Sequence, residues 1–243
     1  MNLTVTVLGC SGSYAGPGNA CSGYLVRSPE ATTVVDLGSG TLANLQRHVA
    51  LDQLDALVLT HEHPDHWLDL PILRTALKYY VEVEGLAVHS PAGVQSHAQR
   101  LIGRLEPTLR WTTLGPGSVV EVGDQRLRFS RTDHPVETLA VRVEATGRTL
   151  VYTADTGSGW EPGDFLSGVD VLLCEATMPE EQQDRTQHLT ARQAGALARQ
   201  AGVGELVLTH IAPGVDPQAQ HAAATAAFDG DVVVAEVNAT FTV

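Results

Sequence analysis

The sequence predicts an α/β protein assembled from two related βα halves, and three observations carry that expectation. Short runs rich in Val, Leu and Thr, punctuated by Gly, Ser and Pro, have the composition of sheet strands: LTVTVL, GYLVR, TTVVDLG and DALVLT occur in turn over residues 3–60. Segments with the 3.6-residue apolar period of amphipathic helices lie among the strand-like runs. The pentapeptide LVLTH occurs twice, at 57–61 and 206–210, each time an apolar run ending in His before a Pro-containing loop. A Val- and Leu-rich composition produces such echoes by chance, so the recurrence supports two halves without establishing them. In open α/β sheets the carboxyl ends of the strands generally frame the site.

Taken in order, the first strand runs into a Gly-rich segment at 9–18, followed by GYLVR, TTVVDLG and DALVLT. Helical periodicity covers 71–80 (PILRTALKYY) and 93–105 (GVQSHAQRLIGRL). VVEVGDQRLRFS reads as a hairpin about Gly123-Asp124, and LAVRVEATGRTLVYTAD as another about Thr146-Gly147, because Gly supplies the positive φ that tight hairpin turns need. A helix over 190–201 opens on Thr190 and stops at Gly202, and one over 217–228 opens on Pro217.

Composition bounds the function. With 43% hydrophobic and 18% charged residues, 23 Gly and 12 Pro, the chain has the profile of a globular protein, and no stretch of linker composition divides residues 1–243, so one domain is expected. The net charge is -13 and the only Lys is Lys78, a surface that repels bulk nucleic acid and anionic membranes unless a local positive field is added. No apolar run reaches the roughly 18 residues of a membrane span. The N-terminus reads as a strand with no Lys or Arg before Arg27, unlike a secretory or transit signal. Cys10, Cys21 and Cys174 are odd in number and form no paired motif, which argues against a disulfide framework and for a reducing, cytoplasmic setting.

The chemistry concentrates after the first LVLT, in His61-Glu62-His63-Pro64-Asp65-His66. In an extended loop side chains at i and i+2 share a face, so His61 and His63 point together. A turn into a helix near Asp65 aims Asp65 and His66 at a second spot, which suits two cations. Further ligands are expected at other strand ends: His134 in TDHPVE, Asp155 in VYTADTGSG and His210 in LVLTHIAP. Imidazole and carboxylate donors without thiolate suit two Zn²⁺ ions, with Mn²⁺ or Fe as alternatives. One ion is assigned to His61, His63 and His134, the other to Asp65, His66 and His210, with Asp155 bridging both.

HEHPDH, His134, Asp155, His210 and the early Asp36 in VVDLGSG resemble the motifs of the metallo-β-lactamase superfamily over essentially the whole chain. The resemblance implies a four-layer αββα sandwich with a dinuclear zinc site, and a role for Asp36 in holding the ligand loop, although an Asp in a strand-end turn is the simpler alternative. True β-lactamases of that superfamily carry Cys where this chain has Asp155, so antibiotic hydrolysis is not implied. Cys174-Glu175-Ala176-Thr177, His188-Leu189-Thr190 and LVLTHIAP are similar to the ribonuclease Z branch. GCSGS, SGYLVR, LQRH, LDLP, LLCEA, HLT and FDG look like a subgroup of actinobacterial atypical class II cyclic-nucleotide phosphodiesterases.

That resemblance implies hydrolysis of a small phosphodiester such as 3′,5′-cAMP by a metal-bridged hydroxide. Asp65 would position or deprotonate the water and His188 would interact with the scissile phosphate. Counting two divalent ions, two Asp and one hydroxide leaves about +1 in the site, a positive hole in a negative protein. Glu175 either orients His188 or caps a neighbouring loop. The segment 9–18 offers either phosphate-binding N–H groups or a tight turn. Trp160 either lines the mouth or packs in the core, and His48, His89, His97 and His221 lack a ligand context. A ribonuclease Z-type tRNA 3′-end endonuclease is the first alternative, disfavoured because the 81–118 stretch is too short for the family's arm and the net charge steers nucleic acid poorly. A thioesterase or lactonase of the same fold is the second, and a purely structural metal module the third. The apolar residues of 67–80 form either a face for a homodimer or a core-facing helix.

Overall fold

The computed structural model describes residues 2–183 and 185–243. Its first sheet contains β1 (Thr4–Gly9), β2 (Gly23–Arg27), β3 (Thr32–Leu37), β4 (Ala56–Val58), β5 (Leu86–Ser90) and β6 (Leu109–Thr113). The second contains β7 (Val119–Val122), β8 (Gln125–Arg131), β9 (Leu139–Ala145), β10 (Arg148–Tyr152), β11 (Val171–Glu175), β12 (Glu205–Thr209) and β13 (Asp231–Val234). The last strand, β14 (Thr240–Thr242), returns to the first sheet and pairs with β1. The strand orders are β14-β1-β2-β3-β4-β5-β6 and β13-β12-β11-β10-β9-β8-β7.

Each sheet is antiparallel through four strands and parallel through the remaining three pairings, so the two share one connectivity pattern. The two copies of LVLTH are not equivalent in it. One lies on β4, which pairs directly with the antiparallel-to-parallel switch strand β3, whereas the other lies on β12, one strand further from its switch strand β10. The halves are related, but the pentapeptide echo is not what relates them.

Alternation along the strands makes four layers. Val5, Val7, Val26 and Val35 from the first sheet meet Leu127, Val141, Val143 and Leu150 from the second in the central core. The opposite faces, Leu8, Leu25, Val34 and Leu57, are covered by α1 (Thr41–Leu45), α2 (Leu70–Ala76) and α3 (Ala92–Ile102). Val151, Leu172, Leu206 and Leu208 are covered by α4 (Ala191–Ala201) and α5 (Pro217–Thr225). The result is the αββα sandwich expected from the resemblance.

Element boundaries differ from expectation where local geometry intervenes. The helix expected over 71–80 ends at Ala76 and continues as a single wide turn over Leu77–Val81, closed by Glu82 at φ 58°. In this segment Leu70, Leu73 and Leu77 are buried while Leu68, Ile72, Tyr79 and Tyr80 are exposed, so it both feeds the core and leaves an apolar outer face. Helix α3 stops at Ile102 because Gly103 leaves helical space, and α5 stops at Thr225. Both hairpins form at the expected turns, with Thr146 and Gly147 at φ 54° and 75° as a tight turn requires. Thr190 caps α4, accepting from Gln193 N while the Gln193 side chain accepts from Thr190 N.

Candidate metal centre

The carboxyl ends of β3, β4, β8, β10, β11 and β12 open on one edge of the sandwich, and the expected ligands converge there. His61 follows β4, His134 lies just past β8, Asp155 just past β10 and His210 directly after β12. Pro64 opens a single helical turn over Pro64–His66, which rotates Asp65 and His66 away from His61 and His63. Donor atoms of His61, His63, His134 and Asp155 lie within 4.8 Å of one another, as do those of Asp65, His66 and His210. Asp155, His188 and His210 satisfy the same criterion, so His188 borders the cluster.

Within the first group His63 Nδ1 is 3.2 Å from His61 Nε2 and 3.1 Å from His134 Nε2. In the second, His66 Nε2 and His210 Nε2 are 3.3 Å apart, and Asp65 Oδ2 is 3.2 Å from His210 Nε2. Asp155 stands between them. Its Oδ2 faces His61 Nε2 at 3.6 Å and His134 Nε2 at 3.9 Å, while its Oδ1 faces His66 Nε2 at 3.3 Å and His210 Nε2 at 3.4 Å. Donors held about 2.0–2.1 Å from a tetrahedral ion are about 3.3 Å from one another, so these separations fit a divalent metal. Asp155 Oδ1 is buried with no hydrogen-bond partner among the described residues, the deficit expected of a carboxylate awaiting a cation.

The far side of each ring is held by the protein. His66 Nδ1–H donates to Asp36 Oδ2 at 2.7 Å, and Asp36 also accepts from Thr60 N at 2.8 Å and Thr60 Oγ1 at 2.9 Å, fixing the start of the HEHPDH loop. His61 Nδ1 meets Thr60 Oγ1 at 3.1 Å, His134 Nδ1 meets the Gln187 carbonyl at 3.2 Å, and His210 Nδ1 meets Thr177 Oγ1 at 2.7 Å. Such partners set tautomer and ring orientation in metal sites. Asp36, Ala154 and His210 all have positive φ, between 51° and 58°, a strain that recurs at functional sites and that no side-chain pattern announces.

Glu175 joins three loops. Fully buried, it accepts from Thr156 N at 2.6 Å, Thr177 Oγ1 at 2.6 Å, Leu189 N at 3.2 Å and His188 Nδ1 at 3.0 Å. It therefore orients His188 and also caps a loop, the two roles between which the sequence left a choice. The His188 ring stacks against His210 with centroids 5.7 Å apart and meets His134 edge-on at 5.3 Å.

Charge is distributed accordingly. Burial opposes charge on His66, yet Asp155, Asp36 and Asp65 outweigh it and hold the imidazole well above its usual range. Burial, reinforced by His66, pushes His61 well below that range, and burial lowers His134. For Asp155 and Asp65 burial favours the neutral acid, but His210 and His66 beside the first, and His66 and His210 beside the second, hold both carboxyls well below the ordinary value. At His188 the burial penalty is overcome by Glu175, and the ring is pushed up to about 9.

The remaining expectations resolve simply. Gly12 packs on His210: a Cβ there would lie 2.4 Å from the His210 carbonyl, so the Gly-rich segment fits closely beside this donor. Trp160 is core, packed on Phe165. His48 bonds Asn238, His221 bonds the Val232 carbonyl, His97 stacks on Trp67, and His89, near the end of β5, belongs to neither donor group. Asp133, to which the sequence assigns no role, and Thr177, which it places only within the Glu175-Ala176-Thr177 motif, are part of the surrounding framework: Asp133 accepts from Gly159 N at 3.0 Å and Gln187 Nε2 at 2.9 Å, and Thr177 holds His210. The local signal for Asp133 is its adjacency to His134.

Residues 32–211 match the family model described as Beta-lactamase superfamily domain. The chain is 34% identical to an uncharacterized protein of Mycobacterium tuberculosis, Rv1339, covering all of this chain and 93% of the relative. It is 32% identical to the probable metallo-hydrolase YhfI of Bacillus subtilis over 96% of this chain and 97% of that protein. The crystal structure of YhfI superposes with a TM-score of 0.93 over 99% of both chains at 29% identity. A ribonuclease Z of Haloarcula marismortui is 28% identical over 97% of this chain and 95% of its own length.

Proposed function

The chain belongs to the metallo-β-lactamase superfamily, and from that premise we propose that its metal-dependent hydrolytic site cleaves phosphodiesters, with a small cyclic nucleotide such as 3′,5′-cAMP as substrate. The observation that carries the reading is His188, an imidazole oriented by a buried carboxylate at the border of the seven-residue donor set. His61, His63, His134, Asp65, His66 and His210 would hold two divalent ions, with Asp155 shared, and the imidazole and carboxylate donors suit Zn²⁺, Mn²⁺ or Fe. When bound, such ions supply Lewis-acid charge to a phosphoryl oxygen.

The chain's own groups then divide the remaining work. Asp65, 11% exposed beside fully buried His66 and His210, is the carboxylate of the donor set open to an incoming water, which it would position or deprotonate. His188 has Nδ1–H committed to Glu175, which leaves Nε2, protonated, as the nitrogen that would hand a proton to the leaving oxygen. Hydrolysis of a cyclic phosphodiester needs both transfers, because the ring oxygen leaves as an alkoxide.

A tRNA 3′-end endonuclease is the second reading, favoured by relatives named ribonuclease Z. The alignment with the Haloarcula enzyme spans 296 positions against 243 residues here, so at least 53 of its positions have no counterpart in this chain. A net charge of -13 also gives poor steering of a polyanion, and both points favour the small substrate.

The test is hydrolysis of 3′,5′-cAMP beside a precursor tRNA by Zn²⁺- or Mn²⁺-loaded protein, with an EDTA-treated control. Metal-dependent release of 5′-AMP with intact tRNA is expected. A discrete cut at the tRNA 3′ end would replace this reading with the endonuclease, and silence on both would redirect it to esters and thioesters. Asp155→Ala is expected to lose dinuclear metal binding. His188→Ala is expected to keep both metals and lose about 100-fold or more in turnover, the usual contribution of a positioned acid; retained turnover would remove His188 from the mechanism.

A further inference from the structure

Beside the donor cluster lies a cleft of about 530 Å³ lined by Asp133, Gly157, Ser158, Arg185, Thr186 and Gln187, with Pro135 at its edge. Its size falls within the range of small-molecule sites. Its walls are the immediate neighbours of the site: Asp133 precedes His134, Gly157 comes two residues after Asp155, and Gln187 precedes His188. The lining also touches the cluster in space, because His134 Nδ1 meets the Gln187 carbonyl at 3.2 Å.

Asp133 gives the cleft a carboxylate, and Arg185 gives it a guanidinium. Its Oδ2 accepts from Gly159 N at 3.0 Å and its Oδ1 from Gln187 Nε2 at 2.9 Å, while its backbone carbonyl accepts from Gly157 N at 2.6 Å. A Cβ at Gly157 or Gly159 would lie 2.5 or 2.7 Å from Asp133 Oδ2, so a side chain at either position would push the carboxylate out of place. A carboxylate offers about four lone-pair directions, and these two donors leave acceptor capacity on a half-buried group whose orientation is already set. A preorganised acceptor suits a neutral donor such as a sugar hydroxyl.

We propose that this cleft receives the nucleoside of the substrate and that Asp133 accepts a hydrogen bond from the ribose 2′-hydroxyl, the one free hydroxyl of a 3′,5′-cyclic ribonucleotide. This assignment rests on the phosphodiesterase reading and adds to it a discrimination between ribose and deoxyribose. Sites that hydrogen-bond a substrate hydroxyl reject analogues lacking it, because the acceptor is left unpaired. Asp133 is part-exposed and retains two protein donors, so the discrimination expected is about 10- to 100-fold, well below that of a sealed site.

The experiment compares kcat/KM for 3′,5′-cAMP and 2′-deoxy-3′,5′-cAMP in the metal-loaded wild type, Asp133→Ala and Gln187→Ala, with metal content measured in each. Wild type is expected to prefer the ribonucleotide by about 10-fold or more. Asp133→Ala is expected to bring the ratio to about 1, with the loss confined to cAMP and both metals retained. Gln187→Ala removes one donor to the carboxylate but not the carboxylate, and is expected to keep the wild-type preference. Equal turnover of the two substrates by wild type overturns the proposal and leaves the phosphodiesterase reading intact. An equal fall on both in Asp133→Ala makes Asp133 a clamp for its loops and also overturns it. Failure of wild type on both nucleotides overturns the phosphodiesterase reading, and the ribose assignment with it. If Asp133→Ala does not fold, the wild-type ratio still decides.

Discussion

Asp36 lies behind the donor cluster, yet it accepts from His66 Nδ1 and from both the amide and hydroxyl of Thr60, the residue before His61. Removing its carboxylate frees one ring and the start of the loop that carries four of the candidate donors. Asp36→Ala is therefore expected to weaken metal binding by about 10- to 100-fold, read by competition with a chromophoric chelator. At this scale legibility followed contiguity. HEHPDH was readable because its donors are adjacent and carry their own spacing, whereas Asp133, Thr177 and Thr60 acquire meaning only from partners 11 to 54 residues away or from a neighbouring carboxylate. The cysteines give a second prediction. Burial pushes the Cys10 and Cys21 thiols up to about 11 and raises Cys174 further still. The thiolate is the reactive form, and a raised folded-state value keeps it scarce below pH 11. Native protein at pH 8 is expected to resist iodoacetamide at all three, and labelling should appear only on unfolding, as followed by intact mass.

Helix α4 shows what local sequence specifies well. Thr190 and Gln193 form a reciprocal cap, and Gly202 ends the helix at φ 67°. Thr190→Ala is expected to cost about 1 kcal/mol and to lower Tm by about 2–4 °C in calorimetry. Ala194 and Ala198 of the same helix are fully buried against the second sheet, and Gly195 faces α5 so closely that a Cβ would lie 2.6 Å from the Ala224 carbonyl. Gly195→Ala is accordingly expected to destabilise, although alanine has the better helix propensity, and denaturant unfolding checks the sign. The segment after Ala76 was less legible. Its apolar residues continue the helical period through Tyr80, but the wide turn at Leu77–Val81 redirects Tyr79 and Tyr80 outward, a choice made by packing rather than by propensity. The LVLTH echo failed for a related reason: a pentapeptide records strand character and a terminal His, while sheet order is decided by long-range pairing.

At the scale of the molecule, the donor groups straddle the sandwich. His61 and His63 come from the first sheet's side and His134 and Asp155 from the second's, while Asp65 and His66 face His210 in the same way. Each ion would thus tie one sheet to the other, and binding to the folded state alone stabilises it by mass action, about 4 kcal/mol at a thousandfold excess over Kd. Saturating Zn²⁺ is expected to raise Tm by roughly 8–16 °C over EDTA-treated protein, with the fold retained in both by far-UV circular dichroism. The αββα architecture followed from the resemblance and the strand-rich halves, but the return of β14 to the first sheet did not, because TFT is too short to carry a pairing signal. That return has a consequence for biosynthesis. Thr4 lies opposite Thr242, so the first sheet lacks its outer strand until residues 240–242 have been translated. During all of that time β1 presents an unpaired edge, and a chain stalled before residue 240 leaves the ribosome with a template for strand addition by its neighbours.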